Sequence, residues 1–146
     1  MESLLSGVRE TRNNKALGVI RVVAGFMILA SGVMKYGVSH LWEAWSGQLI
    51  AAELPFYTLT LWAIPTIEIV VGGGLLLGFF ARLCGAIIVV MMAVATYVHI
   101  VADNPDLFPM QPHQPVVPLM LLAMSALVVL RGGGAWSLDL RSSRSE

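Results

Sequence analysis

Four stretches of this chain are apolar over lengths that approach or exceed the thickness of a lipid bilayer, and that property limits every other reading. A helical residue rises about 1.5 Å and the hydrocarbon core is about 30 Å thick, so roughly 18 or more apolar residues with few charges predict a spanning helix. Ala16 to Met34 carries one charge, Arg21; Pro55 to Ala81 carries one, Glu68; Leu83 to Ala102 carries none, and holds His99. Val116 to Leu130 is shorter, with Pro115 placed to begin a helix and Arg131 placed to snorkel at its far end. The pattern predicts an all-α, integral membrane four-helix bundle in a single domain over residues 1–146, with helices over about 16–35, 56–81, 83–102 and 115–131.

Composition supports the same solvent. Hydrophobic residues make up 57% of the chain and charged residues 12%, about half the charged share of an ordinary soluble domain. Nine basic residues balance nine acidic ones, so no net charge draws the chain to nucleic acid. The single cysteine, Cys84, excludes a disulfide scaffold and an in-chain CxxC pair. The first apolar stretch exceeds a signal-peptide core and has no A-x-A-like site, so it is expected to be retained.

The basic residues are distributed unevenly. Arg9, Arg12, Lys15 and Arg21 open the first helix, Arg82 falls in the turn between the second and third, and Arg131, Arg141 and Arg144 follow the fourth. With four spans all of these share one side, which the positive-inside rule makes cytoplasmic, together with both termini. Lys35 alone lies opposite. On that outer side Leu41-Trp42-Glu43-Ala44-Trp45 and Leu49-Ile50 predict a short interfacial helix, and the proline-rich run from Asp103 to Gln114 predicts an irregular loop.

Glu68 is the most informative residue, because an ionisable group at mid-membrane is costly and usually faces protein or a polar cavity. Arg21, Gly25, Gly32 and Lys35 share one face of the first helix. Arg21 is expected to snorkel to headgroups or, like Lys35, to lean towards Glu68. Two readings of Glu68 stand side by side: a paired packing device, or a group that handles protons or binds a quinone or other small ligand. Gly18, Gly25 and Gly32 recur every seven residues and Gly74-x-x-x-Gly78 is a small-xxx-small pair, so close helix packing is expected at both. His99 lies one helical turn before Asp103, and with His40 and His113 these form an expected polar cluster on the outer face. Their spacing is not a metal or haem ligand motif. No catalytic residue is assignable, because no nucleophile order, phosphate loop or nucleotide fingerprint appears.

The joint order of Leu17-Gly18-x-x-Arg21, Gly32-x-x-Lys35, Ile67-Glu68-x-x-x-Gly72-Gly73, Leu77-Gly78-x-x-x-Arg82 and Gly132-Gly133-Gly134-Ala135-Trp136-Ser137-Leu138-Asp139 resembles the DoxX-like family. The resemblance implies a small four-helix protein of the bacterial inner membrane. It also implies a role as membrane subunit of a redox complex, with quinone as the implied cofactor, as in thiosulfate:quinone oxidoreductase. Arg21, Lys35, Glu68 and Arg82 stand at the family's charged positions. Paired cysteines found in some members are missing here, which argues against thiol chemistry. The alternative, supported by the shortage of catalytic side chains and the many glycine and methionine packing positions, is a non-catalytic structural or assembly subunit of a larger respiratory or photosynthetic complex. Either role implies the lipid bilayer and protein partners, in a complex or a homo-oligomer.

Overall fold

A computed structural model of the protein describes residues 11, 13–102 and 115–142. Among these residues the regular structure is entirely helical, in the order α1 (Lys15–Gly37), α2 (Ser39–Ala51), α3 (Tyr57–Leu77), α4 (Ala81–Val101), α5 (Val116–Arg131) and α6 (Leu138–Ser142). Helices α1, α3 and α4 are long and apolar enough to cross a membrane, whereas α5 has 16 residues. Only 33%, 28% and 22% of the most apolar windows of the three long helices is buried inside the protein. Helices this apolar and buried over a third or less of those windows are suited to present the remainder to lipid.

Local chemistry fixes the helix ends. The Asn14 side chain accepts the Leu17 N–H at 3.1 Å and caps α1. Helix α3 ends at Leu77, four residues before the expected limit at Ala81, because Gly78 turns left-handed at φ +68°. The N–H of Phe79 then bonds to Gly74 O and that of Gly78 to Leu75 O, the paired closure that glycine permits after a helix. The turn therefore consists of Gly78 to Phe80, and Arg82 lies inside the first turn of α4 rather than in the connection. Pro65 is buried within α3, which continues through it. Proline has no N–H, so the Leu61 carbonyl one turn earlier loses its helical donor. The indole N–H of Trp45 donates to that carbonyl at 3.2 Å and ties α2 to α3.

Two helix pairs make the most extensive contacts, α1 with α3 and α4 with α5. Gly25 and Gly72 let the first pair approach closely: a methyl group on Gly25 would stand 2.6 Å from Leu76 N, and one on Gly72 would stand 2.5 Å from Leu29 N. Gly32 lies against Pro65 and Glu68 in the same seam, so the two helices run antiparallel. Gly74 and Gly78 also lie at close approaches, each to a different neighbour. Gly74 faces the Cys84 thiol, and Gly78 closes its helix against Ser137. A core of Ala24, Ile28, Val71, Leu75, Ile88 and Val128 joins the two pairs.

Candidate functional site

Two polar nodes lie inside the helical array. The first forms between the last turn of α1 and the middle of α3. Lys35 Nζ donates to Glu68 Oε2 at 2.6 Å, to Glu68 Oε1 at 2.7 Å and to Ser31 Oγ at 3.0 Å. Ser31 precedes Lys35 by one turn, which places both on one helix face. The Lys35 ammonium also lies 4.9 Å from the ring centre of Trp45, within cation–π range. Glu68 is almost fully buried and Lys35 largely so. Of the two partners expected for Glu68, Lys35 is the one in contact.

Arg21 forms the second node, and it does not snorkel. Its side chain is 1% exposed and is surrounded by backbone carbonyls. Nε donates to Gly133 O at 2.7 Å, Nη1 to Leu75 O at 2.6 Å and to Leu76 O at 2.5 Å, and Nη2 to Ala135 O at 3.3 Å. The Leu75 and Leu76 carbonyls belong to the last turn of α3, where the i+4 donors are lost, Leu75 O keeps only the capping Gly78 N–H, and the helix dipole favours a cation. The snorkelling expectation treats Arg21 as a lone cation in lipid, whereas the Gly132 to Ser137 segment folds back and supplies carbonyls.

Asp139 completes that end of the molecule. Its two carboxylate oxygens accept the N–H groups of Phe80 and Ala81 at 2.9 and 2.8 Å, capping α4 from a distant part of the chain. Gly134, at φ +72°, lies against Gly18, and its N–H bonds to Thr11 Oγ1 at 2.8 Å. Ser137 Oγ donates to Gly134 O and accepts the Leu140 N–H.

Between the two helix pairs, with α2 over one end, lies a cavity of about 480 Å³. Its walls are mostly apolar, formed by residues such as Ile28, Met92, Val98 and Leu121. Met27, Val90, Val94 and Val117 line it and are each more than a third exposed, so the cavity is open rather than sealed where they stand. Its polar lining is concentrated in Ser31, Lys35, Trp45, Gln48, Glu68 and His99. His99 Nδ1 bonds to Ala95 O at 2.9 Å, one turn back along α4. Gln48 is 8% exposed, and its side-chain amide has no hydrogen-bond partner among the described residues.

The structure thus brings Lys35, Glu68 and His99 to one cavity and separates Arg21 from them. His40 is exposed in the first turn of α2 and does not line the cavity. Asp103 and His113 lie outside the described residues. Among the described residues no three or more His, Cys, Asp or Glu side chains converge as metal ligands would. Sequence reasoning missed Ser31, Trp45 and Gln48. Ser31 was accessible through its one-turn spacing from Lys35, and Gln48 as an uncharged amide on a short amphipathic helix. Trp45 carried a signal only in combination with Pro65.

A family model described as DoxX matches residues 16–100, more than half of the chain. No curated protein and no solved structure matches it.

Proposed function

Since the chain belongs to the DoxX family, we propose that it is the integral membrane subunit of a redox complex and that its cavity is a quinone-type site. The observation that carries the reading is the cavity itself, apolar along most of its length, open rather than sealed, and polar at the Lys35–Glu68–His99 end. Its volume of about 480 Å³ falls within the roughly 300–1,000 Å³ of small-molecule sites and accommodates a ring with a short isoprenoid segment. Gln48 lines the cavity, and its amide, without a hydrogen-bond partner among the described residues, fits a polar ring substituent. A bound quinone would supply two-electron redox chemistry to the complex. The chain's own residues bind and orient: Trp45 offers a ring face, and the Lys35–Glu68 pair keeps the polar end neutral overall.

In this reading both termini face the cytoplasm of a bacterial inner membrane, α1, α3, α4 and α5 form a four-helix bundle, and the α2 end of the cavity lies on the outer side. Protein extracted in a gentle detergent should retain a quinone or a redox partner, detected by chromatography of the solvent extract and by mass spectrometry. Glu68→Gln should lower the redox activity of the isolated complex while leaving membrane insertion intact. Wild-type turnover in that variant, or a wild-type complex consistently free of quinone and redox partners, would overturn the proposal.

A further inference from the structure

The end of the molecule that carries the Arg21 node is also its basic end. Lys15 begins α1, Arg131 ends α5 and Arg141 lies in α6, and all three side chains are exposed. Backbone contacts hold their neighbours together. The Ala135 N–H donates to Asn14 O at 2.9 Å beside Lys15, Arg21 Nε reaches Gly133 O two residues after Arg131, and the Asp139 N–H donates to Gly78 O at 3.0 Å two residues before Arg141. Among the described residues at this end Asp139 alone is acidic, and it is 2% exposed, with both carboxylate oxygens committed to the start of α4. The flanking sequence does not cancel the excess: residues 1–10, 12 and 143–146 add Arg9, Arg12 and Arg144 against Glu2, Glu10 and Glu146. The exposed carboxylates of Glu43 and Glu53 give the opposite end the opposite sign.

A large ring is set among these cations. Trp136 is 64% exposed although its backbone is left-handed, at φ +58°, a conformation that glycine adopts with less strain. The ring leans on α1 where that helix has no side chain: a methyl group on Gly18 would stand 3.1 Å from Trp136 Cε3. Lys15, Gly18, Val19 and Val22 follow the one-turn spacings that share a helix face, and Val19 and Val22 are exposed. Along that face, apolar side chains, an indole ring and an ammonium succeed one another over about 10 Å. A phospholipid presents acyl chain, glycerol and phosphate in the same order. We propose that this end of the protein binds anionic phospholipid, with Lys15, Arg131 and Arg141 attracting headgroup phosphates and the Trp136 ring packed at the glycerol level. The assignment stands independently of what occupies the cavity.

The test compares dioleoylphosphatidylglycerol with dioleoylphosphatidylcholine, which share acyl chains and differ in headgroup charge. Each is titrated into the full chain in a non-ionic detergent, and bound lipid is counted on the intact protein by native mass spectrometry. Phosphatidylglycerol should bind about ten-fold tighter or more, since each basic residue near an anionic lipid surface is worth about five-fold. Lys15→Gln, Arg131→Gln and Arg141→Gln combined should bring the two affinities within about two-fold of each other. Each single variant should lose part of the preference, which keeps the test open if the triple variant fails to fold. Trp136→Gly suits the left-handed backbone, and it should weaken both lipids alike by about three-fold while keeping their ratio, a split that separates the ring from the charges. Equal binding of the two lipids by the wild type overturns the proposal, as does a preference undiminished in the charge variants. Displacement of phosphatidylglycerol by an equimolar amount of glycerol 3-phosphate would make this an anion site rather than a lipid surface and overturns it too. Unchanged affinities in Trp136→Gly overturn the place given to the ring.

Discussion

Arg21 and Lys35 lie on the same face of α1, yet they satisfy their charges in different ways. Lys35 meets an anion, and removing either member of such a pair strands the other in a poorly solvated place. Arg21 meets neutral carbonyls from two separate segments, held by a flat group with donors fixed in a fork. Geometry matters more than charge at that position. Arg21→Lys keeps the charge and loses the fork, so it should cost on the order of 2–3 kcal/mol, the worth of two or so lost charge-assisted hydrogen bonds. The loss should appear as a lower midpoint in detergent unfolding and as faster proteolysis around Trp136. An unchanged midpoint would mean that the guanidinium contacts contribute nothing beyond their charge. Ser31, Trp45 and Gln48 add a complementary point: one bonds to a cation, one replaces a donor that a proline lacks, and one is left open to the cavity.

At the level of helices, the α1–α3 seam shows how one short run of identical residues divides its tasks. A methyl group on Gly72 would meet the backbone of α1, one on Gly73 would meet nothing within 4 Å, and one on Gly74 would press on the Cys84 thiol at 2.8 Å and touch Phe79 O at 3.5 Å. Gly73→Ala should therefore be neutral or stabilising by up to about 1 kcal/mol, through helix propensity alone. Gly72→Ala should be destabilising by about 1–3 kcal/mol, because backbone cannot move aside as a side chain can. Gly74→Ala should fall between them, and unfolding titrations of the three variants establish the order. The apolar runs and the short helix after the first of them were legible in the sequence, because hydrophobic length is a local property, whereas the end of the second long helix at Leu77 was not, because the apolar run continues past the left-handed Gly78. The identity of Gly72 as the contact glycine was not, since it depends on the register between α1 and α3. The Arg21 node was illegible for the same reason: the Gly133 and Ala135 carbonyls lie 112 and 114 residues away, and backbone acceptors leave no mark in a side-chain pattern. Glu68 was legible because a carboxylate within an apolar run is itself the signal.

For the molecule as a whole, the charge distribution sets an expectation about sidedness. A chain lacking Cys84 and carrying a single reporter cysteine at Ser39 should react with a membrane-impermeant maleimide added outside spheroplasts, whereas a reporter at Arg141 should react only after the membrane is opened. Labelling of both from outside would place them on one side and remove the four-span arrangement proposed above. The Arg21 node also bears on how the chain is made. At roughly 5–20 residues per second, Gly133 follows Arg21 out of the ribosome's catalytic centre by on the order of ten seconds. During that interval α1 holds a guanidinium whose later carbonyl partners do not yet exist, so its place in the membrane is provisional. The α4 cap waits in the same way for Asp139. A nascent chain halted after α5 would already contain the long described helices and still lack the groups that fix the Arg21 and Asp139 end of them, which gives membrane quality control a structural difference between an interrupted chain and a finished one.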